Sequence, residues 1–331
     1  MELTTVWFIL IAFLFIGYFV LEGFDFGVGM LVGLLAKDEK ERRVLVNTIG
    51  PVWDGNEVWL IVGGGALFAA FPEWYATLFS GFYLPLFLIL IALIIRGVAF
   101  EYRGLRDDQA WRDRWDWAII IGSFVPALLW GVAFANIIRG VPINESHEYV
   151  GGFFNLLNPY ALLGGALTTT VFLVHGAFFV ALKTVGDIRE RAHAFAQRLG
   201  VVVAVLAVAF IVWTAARDGD LAVWLIGGVA AVAFLGGLAA SLRNRDGWAF
   251  VGTAVAIAGV VAMLFVALFP DVMPSTLDPA FGLTTENASS TPYTLKIMTW
   301  VAVFFTPIVL LYQSWSYWVF RKRIGVQHIP A

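Results

Sequence analysis

Long apolar runs separated by short polar connections fill this chain, and the first run contains LEGFDFGVGM at 21–30. A bilayer crossing takes ~20 residues. The runs predict nine spans, at approximately 6–35, 52–71, 75–100, 116–138, 156–182, 196–216, 221–241, 248–269 and 294–320. The first, third, fifth and ninth are longer than a crossing needs, so they are expected to tilt or protrude. The opening MELTTVWFIL lacks a basic stretch and a small-residue cleavage site. It therefore reads as the start of a retained helix rather than a signal peptide. The expected fold is all-α integral membrane, a single polytopic domain over 1–331 with approximate halves 1–140 and 150–331. No tandem repeat or low-complexity tract interrupts it.

The polar connections fix an orientation. Of the 21 Lys and Arg residues, Arg96 falls inside a span and only Arg139, Arg217 and Lys296 fall in connections on one side. All the others lie in the connections on the opposite side and in the tail, which the positive-inside rule makes cytoplasmic. Nine spans then put the N-terminus outside and the C-terminus in the cytoplasm. An eight-span count breaks the alternation. The two longest outer connections are about 139–155 and 270–293. The second, PDVMPSTLDPAFGLTTENASSTP, is expected to form an ordered cap or lid. Its Asn287-Ala288-Ser289 sequon is discounted, because such triplets arise often by chance.

Composition agrees with this picture. The chain is 60% hydrophobic and only 14% charged, against roughly a quarter charged in soluble domains. No polar stretch is long enough for a soluble domain. With no cysteine, the chain has no disulfide, iron–sulfur cluster or thiolate metal site of its own. Nothing in its charge pattern suggests nucleic-acid binding.

Ionisable groups inside spans are costly and mark function or buried pairing. The candidates are Glu22, Asp25, Asp54, Glu57, Arg96 and His175, with Glu101 near the inner end of span three. Glu22 and Asp25 share one helix face at i, i+3, and lie roughly 18–22 Å along the helix from Lys37 at 1.5 Å per residue. That is near mid-membrane. Gly23-xxx-Gly27 and Gly29-xxx-Gly33 have the spacing that admits a neighbouring helix. Either the two acids lock packing, or their mutual repulsion in a low-dielectric site makes them a proton relay. Asp54 and Glu57 repeat the i, i+3 spacing at the cytoplasmic end of span two, where Asp54 also suits a helix N-terminus. Trp53 and Trp59 fit interface anchors, although Trp59 is deeper than an anchor requires. Arg96 either snorkels to the inner surface or pairs with a carboxylate. His175 is the only histidine inside a span, and a structural hydrogen bond suits it better than haem ligation. The set favours a proton-entry path from the cytoplasm. A cation-coupled secondary transporter with intramembrane acids and a purely structural subunit are the rival readings.

Four stretches carry a family resemblance: GFDFGVGML (23–31), GPVWDGNEVWL (50–60), RGVAFEYR (96–103) and STPYTLKIMTWVAVFFTPIVLLYQSWSYWVF (290–320). In content and order they resemble subunit II of cytochrome bd-type quinol oxidases, along the whole chain. The resemblance implies nine helices, as two four-helix bundles plus one extra helix, in the bacterial cytoplasmic membrane. It implies a partner, subunit I, that carries two b-type haems, one d-type haem and the quinol-oxidising loop. It leaves room for a small single-helix accessory subunit and for bound quinone and lipid. The complex would oxidise quinol on the outer side and reduce dioxygen to water with cytoplasmic protons, generating proton motive force without pumping. Residue by residue, the WDGN aspartate of a cytoplasmic proton pathway matches Asp54. The acidic pair of span one matches Glu22 and Asp25, and the arginine of span three matches Arg96. Glu57 and Glu101 are secondary candidates. Glu22 stands where some relatives have aspartate, and Glu57 where a relative has glutamine. The tryptophan of an oxygen route matches Trp59. No haem ligand, metal ligand or catalytic residue is expected on this chain, His175 included.

Overall fold

The computed structural model describes residues 2–329. Helices dominate because the apolar runs contain few breakers and polar caps bound them. The first, α1, spans Leu3–Leu35 and is followed by a short α2, Glu39–Ile49, and by α3, Trp53–Ala70. Next come α4, Pro72–Gly81, α5, Tyr83–Tyr102, and α6, Gln109–Arg139. A single turn, α7, Gly152–Asn155, precedes α8, Pro159–Lys183, and α9, Asp187–Asp218. The chain closes with α10, Leu221–Leu242, α11, Asp246–Leu268, and α12, Pro292–Val319. Side chains of Asp38, Asp108, Asn158, Asp220 and Thr291 accept backbone N–H groups at the starts of α2, α6, α8, α10 and α12. These acceptors satisfy donors that have no partner within the helix. Gly219 closes α9 in the left-handed conformation, φ 79°, where a side chain is disfavoured.

Two features depart from the expected spans. The run 75–100 is not one helix, because the chain breaks at Phe82 between α4 and α5. Pro85 lacks an N–H and its ring opposes the carbonyl four residues earlier, Gly81, so an uninterrupted helix is disfavoured there. The polar connection between the first two expected spans contains α2, which buries Val44, Leu45 and Ile49 against the bundle. Among the described residues, eight helices are long and apolar enough to cross a membrane. The helix α3 has 18 residues but opens on Asp54, Asn56 and Glu57 and falls short in apolarity.

In one group of helices, α1 lies against α3 and α6, and α5 lies against α6; in the other, α8 to α11 pack together. The groups meet where α1 and α6 contact α8. The glycines of α1 serve two neighbours. A Cβ at Gly27 would lie 2.0 Å from the Phe172 carbonyl oxygen on α8, and one at Gly29 would lie 2.1 Å from Ser123 Oγ on α6. Most of α12 is exposed, including Trp300, Phe304, Leu311 and Trp315.

The two ends differ in chemistry. At one, Arg103 binds Asp116 and Glu39 at 2.5 and 2.8 Å, and Arg42 binds Asp113 at 2.7 Å. There too Arg191 reaches Glu41 at 2.6 Å, and Asp246 gathers Arg189, Arg323 and His193. At the other end, 139–155 and 270–293 form an ordered cap. Strand β1, Asp271–Met273, pairs antiparallel with β2, Leu283–Thr284. Val141 bridges Ser275, and Ser290 N donates to the Ala70 carbonyl at 2.8 Å. Asn287 is used for turn geometry, its Oδ1 accepting from Thr284 N at 2.7 Å.

Candidate functional site

Three helices bring four charged side chains together in the interior. From α1 come Glu22 and Asp25, from α3 Glu57, and from α5 Arg96. Arg96 Nη1 donates to Glu57 Oε1 at 2.8 Å and reaches Glu22 Oε2 at 3.4 Å, while Nη2 donates to Asp25 Oδ1 at 3.1 Å. The side chains of Arg96, Glu22 and Asp25 are fully buried, and that of Glu57 is 20% exposed. Phe26 and Phe100 each present a ring 5.0 Å from the guanidinium carbon, an arrangement that stabilises the cation. Gly122 on α6 makes room for the arginine, since a Cβ there would lie 2.7 Å from Arg96 Cβ. The snorkelling alternative for Arg96 is therefore replaced by pairing.

The electrostatics follow from the count. One guanidinium neutralises one carboxylate, and burial opposes the excess negative charge that remains if every acid is ionised. The cluster is thus suited to holding protons on its other acids and to exchanging them.

A layer of neutral polar groups surrounds the cluster. Asn56 Nδ2 donates to Asp25 Oδ2 at 2.5 Å, and the Tyr317 hydroxyl donates to Asn56 Oδ1 at 2.6 Å. Trp59 Nε1 donates to Gln313 Oε1 at 2.7 Å. Trp130 Nε1 donates to the Tyr18 hydroxyl at 3.0 Å, one turn before Glu22 on α1. Sequence reading missed Tyr18, Gln313 and Tyr317 as members of this layer. The signal for two of them is their i, i+4 spacing on the last apolar run, which places both polar tips on one face.

Other expected residues lie outside the buried cluster. Asp54 is exposed in the first turn of α3, one turn from Glu57. Glu101 is exposed near the end of α5. Trp53 lies against Phe100, with ring centroids 5.1 Å apart. Trp59 fills the space over Gly17, where a Cβ would meet its ring at 2.1 Å. It also borders an apolar groove of about 470 Å³ between α1, α3 and α12. His175 is buried with both ring nitrogens engaged, by Thr253 Oγ1 at 2.6 Å and the Val20 carbonyl at 3.1 Å. Its ring stacks on Phe250 at 4.5 Å. His193 is similarly engaged, by Ser241 and Asp246. Among the described residues, no three His, Cys, Asp or Glu side chains are grouped to hold a metal ion.

Comparison with known proteins places these features in context. Residues 3–320 match the family model for cytochrome bd terminal oxidase subunit II. The chain is 45% identical over 330 residues to the cytochrome bd ubiquinol oxidase subunit 2 of Bacillus subtilis, covering 98% of this chain and 97% of the relative. It is 38% identical over 362 residues to the cytochrome bd-I ubiquinol oxidase subunit 2 of Escherichia coli K12, covering 98% and 96%. In fold it is similar to a chain of the bd oxidase from Geobacillus thermodenitrificans, with a TM-score of 0.78 at 18% identity, covering 96% of this chain and 97% of that one.

Proposed function

The chain belongs to the cytochrome bd terminal oxidase subunit II family, and from that premise we propose how its own residues serve the oxidase. It is a multi-pass protein of the bacterial plasma membrane and an obligate subunit of a quinol-oxidising terminal oxidase. The cation-coupled transporter reading finds no support among these relatives.

This chain supplies scaffold and a proton-entry path, while subunit I carries the two b-type haems and haem d. The donor chemistry agrees with that division. His175 and His193 have both ring nitrogens in hydrogen bonds, so the buried histidines of this chain do not fit axial ligation. Quinol donates the electrons, and a small accessory subunit, quinone and lipid complete the proposed partners. The topology is nine spans with the N-terminus outside. In its favour, α3 starts at the ion-paired end and its last residue, Ala70, accepts from Ser290 in the cap. The polar start of α3 explains its low apolarity: Glu57 bonds the buried arginine, Asn56 bonds Asp25, and Asp54 lies at the exposed end.

The observation that carries the proton path is Arg96 bonded to Glu22, Asp25 and Glu57 at 3.4, 3.1 and 2.8 Å. Asp54 forms the entrance, exposed one turn from Glu57. Glu57 joins it to the interior, and Arg96 keeps the acids in reach of one another. Glu101 has only the standing of an accessory surface acid, exposed near the end of α5. The apolar groove beside Trp59 suits passage of a small apolar gas such as dioxygen.

The test uses vesicles containing the complete oxidase. Asp54→Asn and Glu22→Gln are expected to lower oxygen-reduction turnover and slow proton uptake while haem content stays normal. Unchanged turnover together with unchanged uptake in both variants refutes the path.

A further inference from the structure

Trp59, Gln313, Asn56 and Asp25 form one hydrogen-bonded chain that crosses α3, α12 and α1. It starts at an indole N–H, which only donates. Because Trp59 Nε1 donates to Gln313 Oε1 at 2.7 Å, the Gln313 carbonyl is committed to that side. Its Nε2 then faces two acceptors, Asn56 Oδ1 at 3.4 Å and the Gly55 carbonyl at 3.5 Å. These contacts are long, and they set direction more than they add strength. Asn56 Oδ1 also accepts from the Tyr317 hydroxyl at 2.6 Å. Asn56 Nδ2 is left to face α1, where it donates to Asp25 Oδ2 at 2.5 Å. The second Asp25 oxygen accepts from Arg96 Nη2 at 3.1 Å. Both oxygens of Asp25 therefore meet donors, and hydrogen bonds to the charged form favour the carboxylate.

Glu22 is placed differently. Its Oε2 has one long contact with Arg96, at 3.4 Å, and its buried Oε1 has no hydrogen-bond partner among the described residues. We infer that the Trp59–Gln313–Asn56 chain fixes Asp25 as the standing anion of the cluster, and that Glu22 is the member of the pair that gains and loses a proton. Trp59, Gln313 and Asn56 are positioning residues, acting on Asp25 through hydrogen bonds. The titratable and charged groups around the pair are Tyr18 on α1, Glu57 on α3, Arg96 on α5 and Tyr317 on α12. The use made of the Glu22 proton rests on the proton-path reading above; the polarity of the chain does not.

The experiment is pH-dependent infrared difference spectroscopy of the intact oxidase. A protonated-carboxyl C=O band is expected that Glu22→Gln removes and Asp25→Asn leaves in place. Trp59→Phe keeps a ring over Gly17 but deletes the N–H, so both amides are free to turn and Asn56 Oδ1 can face Asp25. That variant is expected to gain a second protonated-carboxyl component, which adding Asp25→Asn abolishes. The inference is overturned if Asp25→Asn removes the wild-type band while Glu22→Gln spares it, or if Trp59→Phe leaves the spectrum unchanged. Should Asp25→Asn fail to assemble, Trp59→Phe alone decides, since it leaves every charge in place. Loss of the band in Glu22→Gln with full turnover and proton uptake would remove Glu22 from the proton path and leave the assignment of Asp25 standing.

Discussion

Two ion clusters in this molecule are built in opposite senses. Inside, one base, Arg96, faces three acids, and the side chains of Glu22, Asp25 and Arg96 are fully buried. At the ion-paired end, one acid, Asp246, receives Arg189 at 3.0 Å, Arg323 at 2.6 Å and His193 at 2.7 Å, with Arg189 and Arg323 24% and 40% exposed. The end cluster joins the start of α11 to α9 and to the tail, and its excess cationic charge is within reach of water. Separately, Lys183 donates to the Phe320 carbonyl beside the tail. The inner cluster has excess acid, meets the surface only through Glu57, 20% exposed, and holds a Glu22 oxygen without a partner among the described residues. A site built only for stability resembles the end cluster; one built to pass charge tolerates the strain of the inner one.

Four variants sharpen this contrast. The largest effect is expected from Arg96→Leu, which leaves three acids without their cation. Breaking a buried pair this way costs about 3–5 kcal/mol, so assembled oxidase should be lost from membranes, as measured by haem content and subunit yield. Normal assembly and turnover would show that the inner cluster is no more demanding than the outer one. Next is Glu22→Gln, expected to keep assembly and lower turnover about ten-fold or more, as general acid–base groups do, read by oxygen uptake. Asp246→Asn should act the other way, lowering thermal stability by about 1–3 kcal/mol while turnover per haem is unchanged. Asp54→Asn should have the smallest effect, a few-fold slowing of proton uptake on the scale of a lost exposed charge. If Asp54→Asn instead matches Glu22→Gln, the partner subunit buries the entrance and the exposure of Asp54 belongs to the isolated chain alone.

The sequence announced much of this. The apolar runs located the long helices, although α5, α6 and α9 start well away from the expected bounds, at Tyr83, Gln109 and Asp187 against 75, 116 and 196. The intramembrane charges named all four members of the inner cluster. The break at Phe82 was less legible, because apolarity continues across it and only Pro85 gives it away. The helix α2 was hidden in a basic connection, since its apolar positions are few. Glu57 was ranked below Asp54, whereas Glu57 bonds Arg96 and Asp54 faces outward. Spacing places both residues on one helix face but does not say how far that face turns inward.

By itself, then, the amino-acid sequence determined membrane insertion, the approximate helices and the presence of charges that lipid would not tolerate, because these follow from the local balance of apolar and polar groups. It also carried the motifs of subunit II. Tertiary structure alone decided which acids meet Arg96, that Asn56 bonds Asp25 across 31 positions of sequence and Tyr317 bonds Asn56 across 261, and that Trp59 meets Gln313. Such pairings depend on helix rotation and on close approach at Gly27, Gly29 and Gly122, which packing between distant segments fixes and no local pattern contains.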